Sequence, residues 1–294
     1  MANLKAIRIR ITSVKSTRQI TSAMKMVSAA KLRKAQDKIV RLRPYANKLH
    51  DLLVDLSNSL VDSEVENVYA RKTQPEKILI VVITSNRGLC GAFNTNVIKE
   101  ARRVISEKYP EQFKAGNLKV LTIGKKGNDY FKKQNISMLP DQNNLLLNLT
   151  FENVNNVAEQ IMNNFTSFEY DKVELIYNQF KNAAVQNLTT EVFLPVEAVS
   201  AEKTNTPPAD YIYEPDIEEI IKELIPKSLK IQFYKAVLDS FVAEHGARMT
   251  AMHKATDNAT AMIRDLTLQY NKARQASITN QILEVVSGAE ALRG

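Results

Sequence analysis

The chain has 294 residues, 44% of them hydrophobic, which is enough apolar material for one large domain or two and excludes wholesale disorder. A single cysteine, Cys90, excludes an intramolecular disulfide, and His50, His245 and His253 lie too far apart in sequence to suggest a zinc site. Net charge is +8, and residues 1–50 contain only one acid, Asp37, among many lysines and arginines. Such a segment suits an acidic protein surface, nucleic acid or anionic lipid, or is simply a solvated helix face.

Residues 1–61 read as one long N-terminal helix. Leu4, Ile7, Ile11 and Val14 open a heptad seam. Near Thr17 the apolar pattern moves to Thr17, Ile20, Met24 and Val27, a three-residue slip that predicts a stammer. The seam resumes at Ser28, Leu32, Ala35, Ile39, Leu42, Ala46, Leu49, Leu53, Leu56 and Leu60. Pro44 lies off the seam and predicts a bend, not an end, because the spacing is kept across it. The basic, serine-containing start also has the composition of a transit peptide. Against that, the helical pattern runs past residue 50 without a break for cleavage.

Residues 62–76 are polar and read as a linker. Residues 77–197 then change period. Ile78 to Ile83 is the longest aliphatic run, far short of a membrane span, and predicts a strand buried on both faces. Helix is expected over 92–108, a strand over 118–124, a short helix over 127–134 and strand or loop over 144–149. A helix over 153–164 and strands over 173–180 and 188–194 follow. This alternation predicts an α/β domain with a Rossmann-like, mostly parallel sheet.

Residues 198–215, with Pro207 and Pro208, read as a second linker. Residues 216–294 are expected to form a short helix capped by Asp216 and ended by Pro226, then a long helix. From Lys227 to Ser287 there is no proline and one glycine, Gly246. Ile231, Tyr234, Leu238, Phe241 and His245, then Met252, Ala255, Ala259, Met262 and Leu266, form its seam. At 1.5 Å per residue the run would reach roughly 90 Å. The two terminal helices are expected to pair as an antiparallel coiled coil with the α/β domain inserted between them. A homodimeric coiled coil is the alternative.

Ser85 to Gly91 follows the first strand, where dinucleotide folds place a phosphate loop. Only Gly88 and Gly91 are present, no G-x-G precedes the helix, and the Walker pattern is missing. A tight turn that aims Arg87 and packs Cys90 is expected, with no cofactor and no metal. No neighbouring base is apparent for Cys90 as a nucleophile. Arg274 and Gln275 stand out on the C-terminal helix, since a two-helix core has no need of them. Arginine is a good bidentate donor to carboxylates on a partner.

Several long motifs resemble the gamma subunits of F-type ATP synthases. They are Ile20-Thr-Ser-Ala-Met-Lys-Met-Val-Ser-Ala-Ala-Lys-Leu-Arg-Lys34, Ser85-Asn-Arg-Gly-Leu-Cys-Gly91, Arg248-Met-Thr-Ala-Met252, Tyr270-Asn-Lys-Ala-Arg-Gln-Ala-Ser-Ile-Thr279 and Ile278 to Ala291. The resemblance implies a non-catalytic central-stalk rotor of a bacterial enzyme, one copy per complex. It would turn inside a ring of three alpha and three beta subunits, with the α/β domain against the epsilon subunit and the c-ring. Membrane association, at the cytoplasmic face of the plasma membrane, would be only through these partners, and nucleic acid would not be bound. Met24, Lys25, Arg274 and Gln275 match beta-contacting positions. Arg87 and Cys90 fall on the loop of the α/β domain. Val285, Val286, Ala289 and Leu292 fall in a C-terminal bearing. Asn86 and Gln281 stand where the family usually has acids, which removes a charge at each. The inserted cysteine pair of chloroplast members is missing. Competing expectations from the residues alone are a basic coiled-coil nucleic-acid binder and an α/β enzyme with coiled-coil arms.

Overall fold

The computed structural model describes residues 4–59, 68–71, 74–134, 136–196 and 217–292, without the side chains of 47, 50–59 and 217–221. The expected seam positions Leu53, Leu56 and Leu60 and the second linker therefore lie outside the described side chains. In chain order the elements are α1 (Leu4–Ser59), β1 (Ile78–Ile83), α2 (Phe93–Arg103), α3 (Pro110–Lys114) and β2 (Leu118–Ile123). They continue with α4 (Lys125–Phe131), β3 (Ser137–Met138), α5 (Phe151–Thr166), β4 (Lys172–Phe180), β5 (Gln186–Leu194) and α6 (Ile217–Ala291). The residues divide into two compact units, one of 1–28 with 249–294 and one of 29–248.

The larger unit holds a five-stranded sheet in the order β3-β2-β1-β4-β5, parallel except for β5, which pairs antiparallel at the edge. All six residues of β1 are fully buried, as the unbroken aliphatic run requires. Alternation divides them between two cores. Leu79, Val81 and Ile83 meet α5 through Val154, Val157, Ile161 and Phe165, and α6 through Leu229, Phe233 and Val237. Ile78, Ile80 and Val82 meet Val97 and Ala101 of α2, then Val104, Ile105, Tyr109 and Phe131. The segment expected as strand or loop forms a 3-10 turn over Asn143–Leu146. The expected helix over 92–108 ends its α geometry at Arg103 and continues as a π turn over Val104–Lys108.

Pro226 does not end a short helix: α6 is unbroken from Ile217 to Ala291 with Pro226 inside it. A proline in a helix interior costs about 3 kcal/mol. Ile225 and Leu229, on either side, are both buried in the sheet-facing core, and that packing offsets the cost. Pro44 likewise sits inside α1, as its retained spacing predicted.

In the smaller unit α1 and α6 run antiparallel, since Arg8 Nη2 donates to Tyr270 Oη at 3.0 Å and Thr21 shares a 2.8 Å hydrogen bond with Thr256. The expected stammer is not there. Thr17, Ile20 and Val27 are exposed, while Thr21 and Ser28 are buried at 8% and 3% exposure. With Arg18 and Lys25 counted, the 3-4 rhythm from Leu4 to Leu49 never breaks. Small polar residues occupy the seam, so the apolar pattern had jumped to an adjacent exposed stripe. Met262 is corrected for the same reason: it is 43% exposed, and the half-buried Ile263 holds the seam between Ala259 and Leu266.

Candidate functional site

The loop after β1 occupies the place where doubly wound sheets take ligands, beside the point where strand order reverses. Ser85 is fully buried; its backbone N–H donates to Asn94 Oδ1 at 2.9 Å and its hydroxyl to the Arg87 carbonyl at 2.6 Å. Leu89 and Gly91 adopt left-handed backbone, at φ 63° and 60°. This turns Leu89 outward, 63% exposed, and Cys90 inward, 1% exposed. Asn94 Nδ2 donates to Cys90 Sγ at 3.2 Å. Burial pushes the Cys90 thiol up, against the pull of Ser85 and Arg248, which suits packing and not nucleophilic attack.

A phosphate loop needs free backbone N–H groups. In the loop after β1, the Ser85 N–H is taken by Asn94 and the Phe93 N–H at the start of α2 by the Cys90 carbonyl, and the N–H groups at the start of α4, after β2, also have partners within the fold. Lys125 N–H donates to Asn86 Oδ1, Lys126 N–H to the Ser85 carbonyl and Gly127 N–H to Thr84 Oγ1. Gly124 stands at φ 108° with the Thr84 carbonyl where its side chain would be, at 2.2 Å. From the other side Arg248 of α6 donates through Nη2 to the Arg87 carbonyl at 2.8 Å and the Gly88 carbonyl at 3.3 Å. The crevice is thus filled by an arginine bound to carbonyls. Asn86 also donates Nδ2 to the Asn143 carbonyl at 2.9 Å, a bond that an aspartate could not make. The Arg87 side chain is exposed.

Arg248 is itself 8% exposed on its side chain and bonds Glu244 at 2.6 Å. Burial raises the Glu244 carboxyl above its usual range, opposed by Arg248 and Lys31. The His245 imidazole is pushed down to about 4 by burial, then by Arg248 and Lys31. Sequence reasoning missed this cluster, although Glu244 and Arg248 stand at the i, i+4 spacing that signals a helical pair.

The other expected site residues lie on the helix pair of the smaller unit. Met24 and Lys25 are half-buried; Arg274 and Gln275 are exposed. The pairing of Arg8 with Tyr270 and Thr21 with Thr256 puts the two groups at different levels. They are separated by about 30 Å of helix, so they do not form one site. Every residue from 278 to 292 is exposed, including Val285 at 71%, Val286 at 50%, Ala289 and Leu292 at 90%. Ile9, Ile20, Met26 and Val27 on α1 and Leu268 on α6 are also about three-fifths exposed. Among the described residues no cluster of His, Cys, Asp and Glu is arranged to hold a metal ion, and no helix is long and apolar enough to cross a membrane.

A two-helix unit with apolar residues facing outward, in one chain with a sheet whose crevice at the β1 loop holds an arginine, describes a mechanical or binding subunit. The model of the ATP synthase family matches residues 3–292, and the chain belongs to that family. Within it the similar proteins are gamma chains. Those of Flavobacterium johnsoniae, Cytophaga hutchinsonii and Chlorobium phaeobacteroides are 58%, 52% and 47% identical, each over at least 99% of both chains. A chain of the Tetrahymena thermophila mitochondrial ATP synthase central stalk and c-ring is 26% identical at TM-score 0.59, covering 80% of this chain and 99% of its own. A chain of the Euglena gracilis mitochondrial ATP synthase is 22% identical at TM-score 0.65, covering 98% and 94%, and speaks for the fold alone. The chain's function is accordingly that of a central-stalk rotor subunit of ATP synthase.

Proposed function

We propose that this rotor acts as an asymmetric, non-catalytic axle inside a ring of alpha and beta subunits, as a single copy and without a cofactor of its own. The observation that carries the reading is the exposed apolar set on the helix pair: Ile9, Ile20, Met26, Val27, Leu268 and Val285. These residues have no use on a free chain and suit a sleeve of partner subunits. Met24, Lys25, Arg274 and Gln275 meet beta subunits at two levels of the sleeve. Val285, Val286, Ala289 and Leu292 turn in the bearing that closes it. Arg10, Lys15, Arg18, Arg33 and Lys34 are exposed along α1 and face acidic partner loops. Exposed pairs of this kind contribute about 0–1 kcal/mol each, weak enough to release as the axle turns.

The α/β unit, with Arg87 and Cys90 in its loop, takes the epsilon subunit and the c-ring, which hold it at the cytoplasmic face of the plasma membrane. The axle biases each catalytic site only through unequal affinity for that site's open and closed states.

Co-expression with alpha and beta subunits from the same cell tests the reading. The expected outcome is a purified complex with one copy of this chain and stimulated ATP hydrolysis. A chain truncated before Val285 should lower the yield of complex more than the turnover of what assembles. A chain that stays apart from the ring and leaves turnover unchanged would overturn the axle.

A further inference from the structure

Within the larger unit α1 meets α6 at Arg43 and Asp239, and the seam residues Leu32, Ala35, Ile39 and Leu49 of α1 are apolar and buried at 7% exposure or less. Apolar contact is non-directional. It resists separation of the helices far better than it resists sliding or twisting of one past the other. Among the described residues, Arg43 of α1 makes directional side-chain bonds across this contact. Arg43 Nη2 donates to Asp239 Oδ1 of α6 at 3.1 Å and to the carbonyl of Phe180, the last residue of β4, at 3.0 Å. A single guanidinium therefore ties α1, α6 and the sheet together.

Two further facts show that this tie is placed where it is needed. Residue 44 is proline, so the helix lacks its internal bond to the Val40 carbonyl at that turn. The clamp sits at the turn of α1 that lacks this bond. Asp239 is fully buried, and its Oδ2 takes no hydrogen bond from a described residue. Burial raises the Asp239 carboxyl above its usual range, and Arg43, then Lys235, oppose that rise while Glu191 adds to it, so the charge on Asp239 leans on Arg43. Hydrophobic residues in place of the pair would pack as well or better. A buried carboxylate with one donor is costly to keep, and what it provides is orientation.

We infer that Arg43 is a positioning residue that transmits torque: within the larger unit it locks the stretches of α1 and α6 on either side of it to the sheet, through Asp239 and the Phe180 carbonyl. The inference rests on the proposed seating of the helix pair in a ring of alpha and beta subunits. Torque applied to the helices reaches the sheet through the clamp, and without it the load falls on the apolar contact and the turn at Pro44.

The test uses the complex with alpha and beta subunits, the ring fixed to a surface. A probe is attached to the α/β unit through Lys133→Cys, an exposed position; the native Cys90 is too buried to compete. The angular distribution of the stalled rotor is then recorded. In Arg43→Leu/Asp239→Leu both charges are gone, so the fold is kept. Loss of two charge-assisted hydrogen bonds should raise occupancy of displaced angles about tenfold, with Tm unchanged or higher. Arg43→Lys keeps the charge without the fork that reaches two acceptors, and should fall between. A native-width distribution in the double variant overturns the clamp. Failure of the unsubstituted chain to enter the ring overturns the seating, and the inference with it.

Discussion

The two compact units solve opposite problems with the same kinds of residue. In the α/β unit Ile78 through Ile83 are fully buried, and Phe131, Phe165 and Phe233 have no exposed surface. In the helix pair the buried seam includes Thr21, Ser28 and Ala259, while Ile20, Val27 and Val285 face outward at 58% exposure or more. A fold that spends its aliphatic residues inward is stable alone. One that turns them outward, and fills its seam with small polar groups, leaves much of its apolar surface for other chains to cover. The difference separates a part that must hold its own shape from a part that must be gripped.

That contrast predicts a ranking of effects. The largest belong to the α/β unit. Arg248→Met should cost about 3–5 kcal/mol, because it leaves the Glu244 carboxylate buried without its partner. The carbonyls of Arg87 and Gly88 also lose their donor. Denaturant titration of the purified chain measures it; a loss below 1 kcal/mol would mean that the crevice needs no filling.

Next comes acid sensitivity at His245. Its folded value lies near 4 against 6.5 unfolded, so the neutral ring is the folded form. The resulting stability is fully present above pH 6.5 and is lost as pH falls toward 4, by about 3 kcal/mol at the limit. Arg248 and Lys31 oppose the imidazolium, while the nearby Glu244 is itself raised by burial. His245→Gln should flatten that part of the stability profile, and an unchanged slope would assign the acid loss elsewhere.

The smallest effect belongs to the helix pair. Val27→Ser should move stability of the free chain by no more than about 0.5 kcal/mol. It should nonetheless weaken capture by the partner ring, measured as yield of complex. If the free chain lost stability comparable to a core substitution, Val27 would be serving its own unit and the contrast would fail.

Much of this architecture could be read from residue pattern alone. The aliphatic run at Ile78, the return of period two at 173–180 and 188–194, and the terminal seams led to an α/β insert in an antiparallel helix pair. Where the reading failed, a local rule had been outvoted by packing. Pro226 looked like a terminus because a proline's cost is visible in sequence, while the burial of Ile225 and Leu229 that offsets it is not. The stammer at Thr17 arose because Thr21 and Ser28 hold core positions that an apolar count passes over. The ties from Arg43 to Asp239 and from Arg248 to the β1 loop join residues 160 or more positions apart. No periodicity encodes such pairs. The half-buried Met24 came from motif resemblance, and the exposed Arg274 and Gln275 stood out because a two-helix core has no need of them, since burial has nothing to say about a residue whose partner is another chain.

The soft seam of the helix pair has a consequence for the free chain. Local opening of a segment is cheapest where little apolar surface is buried within it. Among the described helices, the stretch around Thr21, Ser28 and Ala259 is therefore expected to open early and to be an early site of cleavage in limited proteolysis of the free chain. In the proposed sleeve of partner subunits the same stretch would be sheltered. The expected outcome is faster cleavage of the free chain than of the assembled complex, checked by limited proteolysis of both.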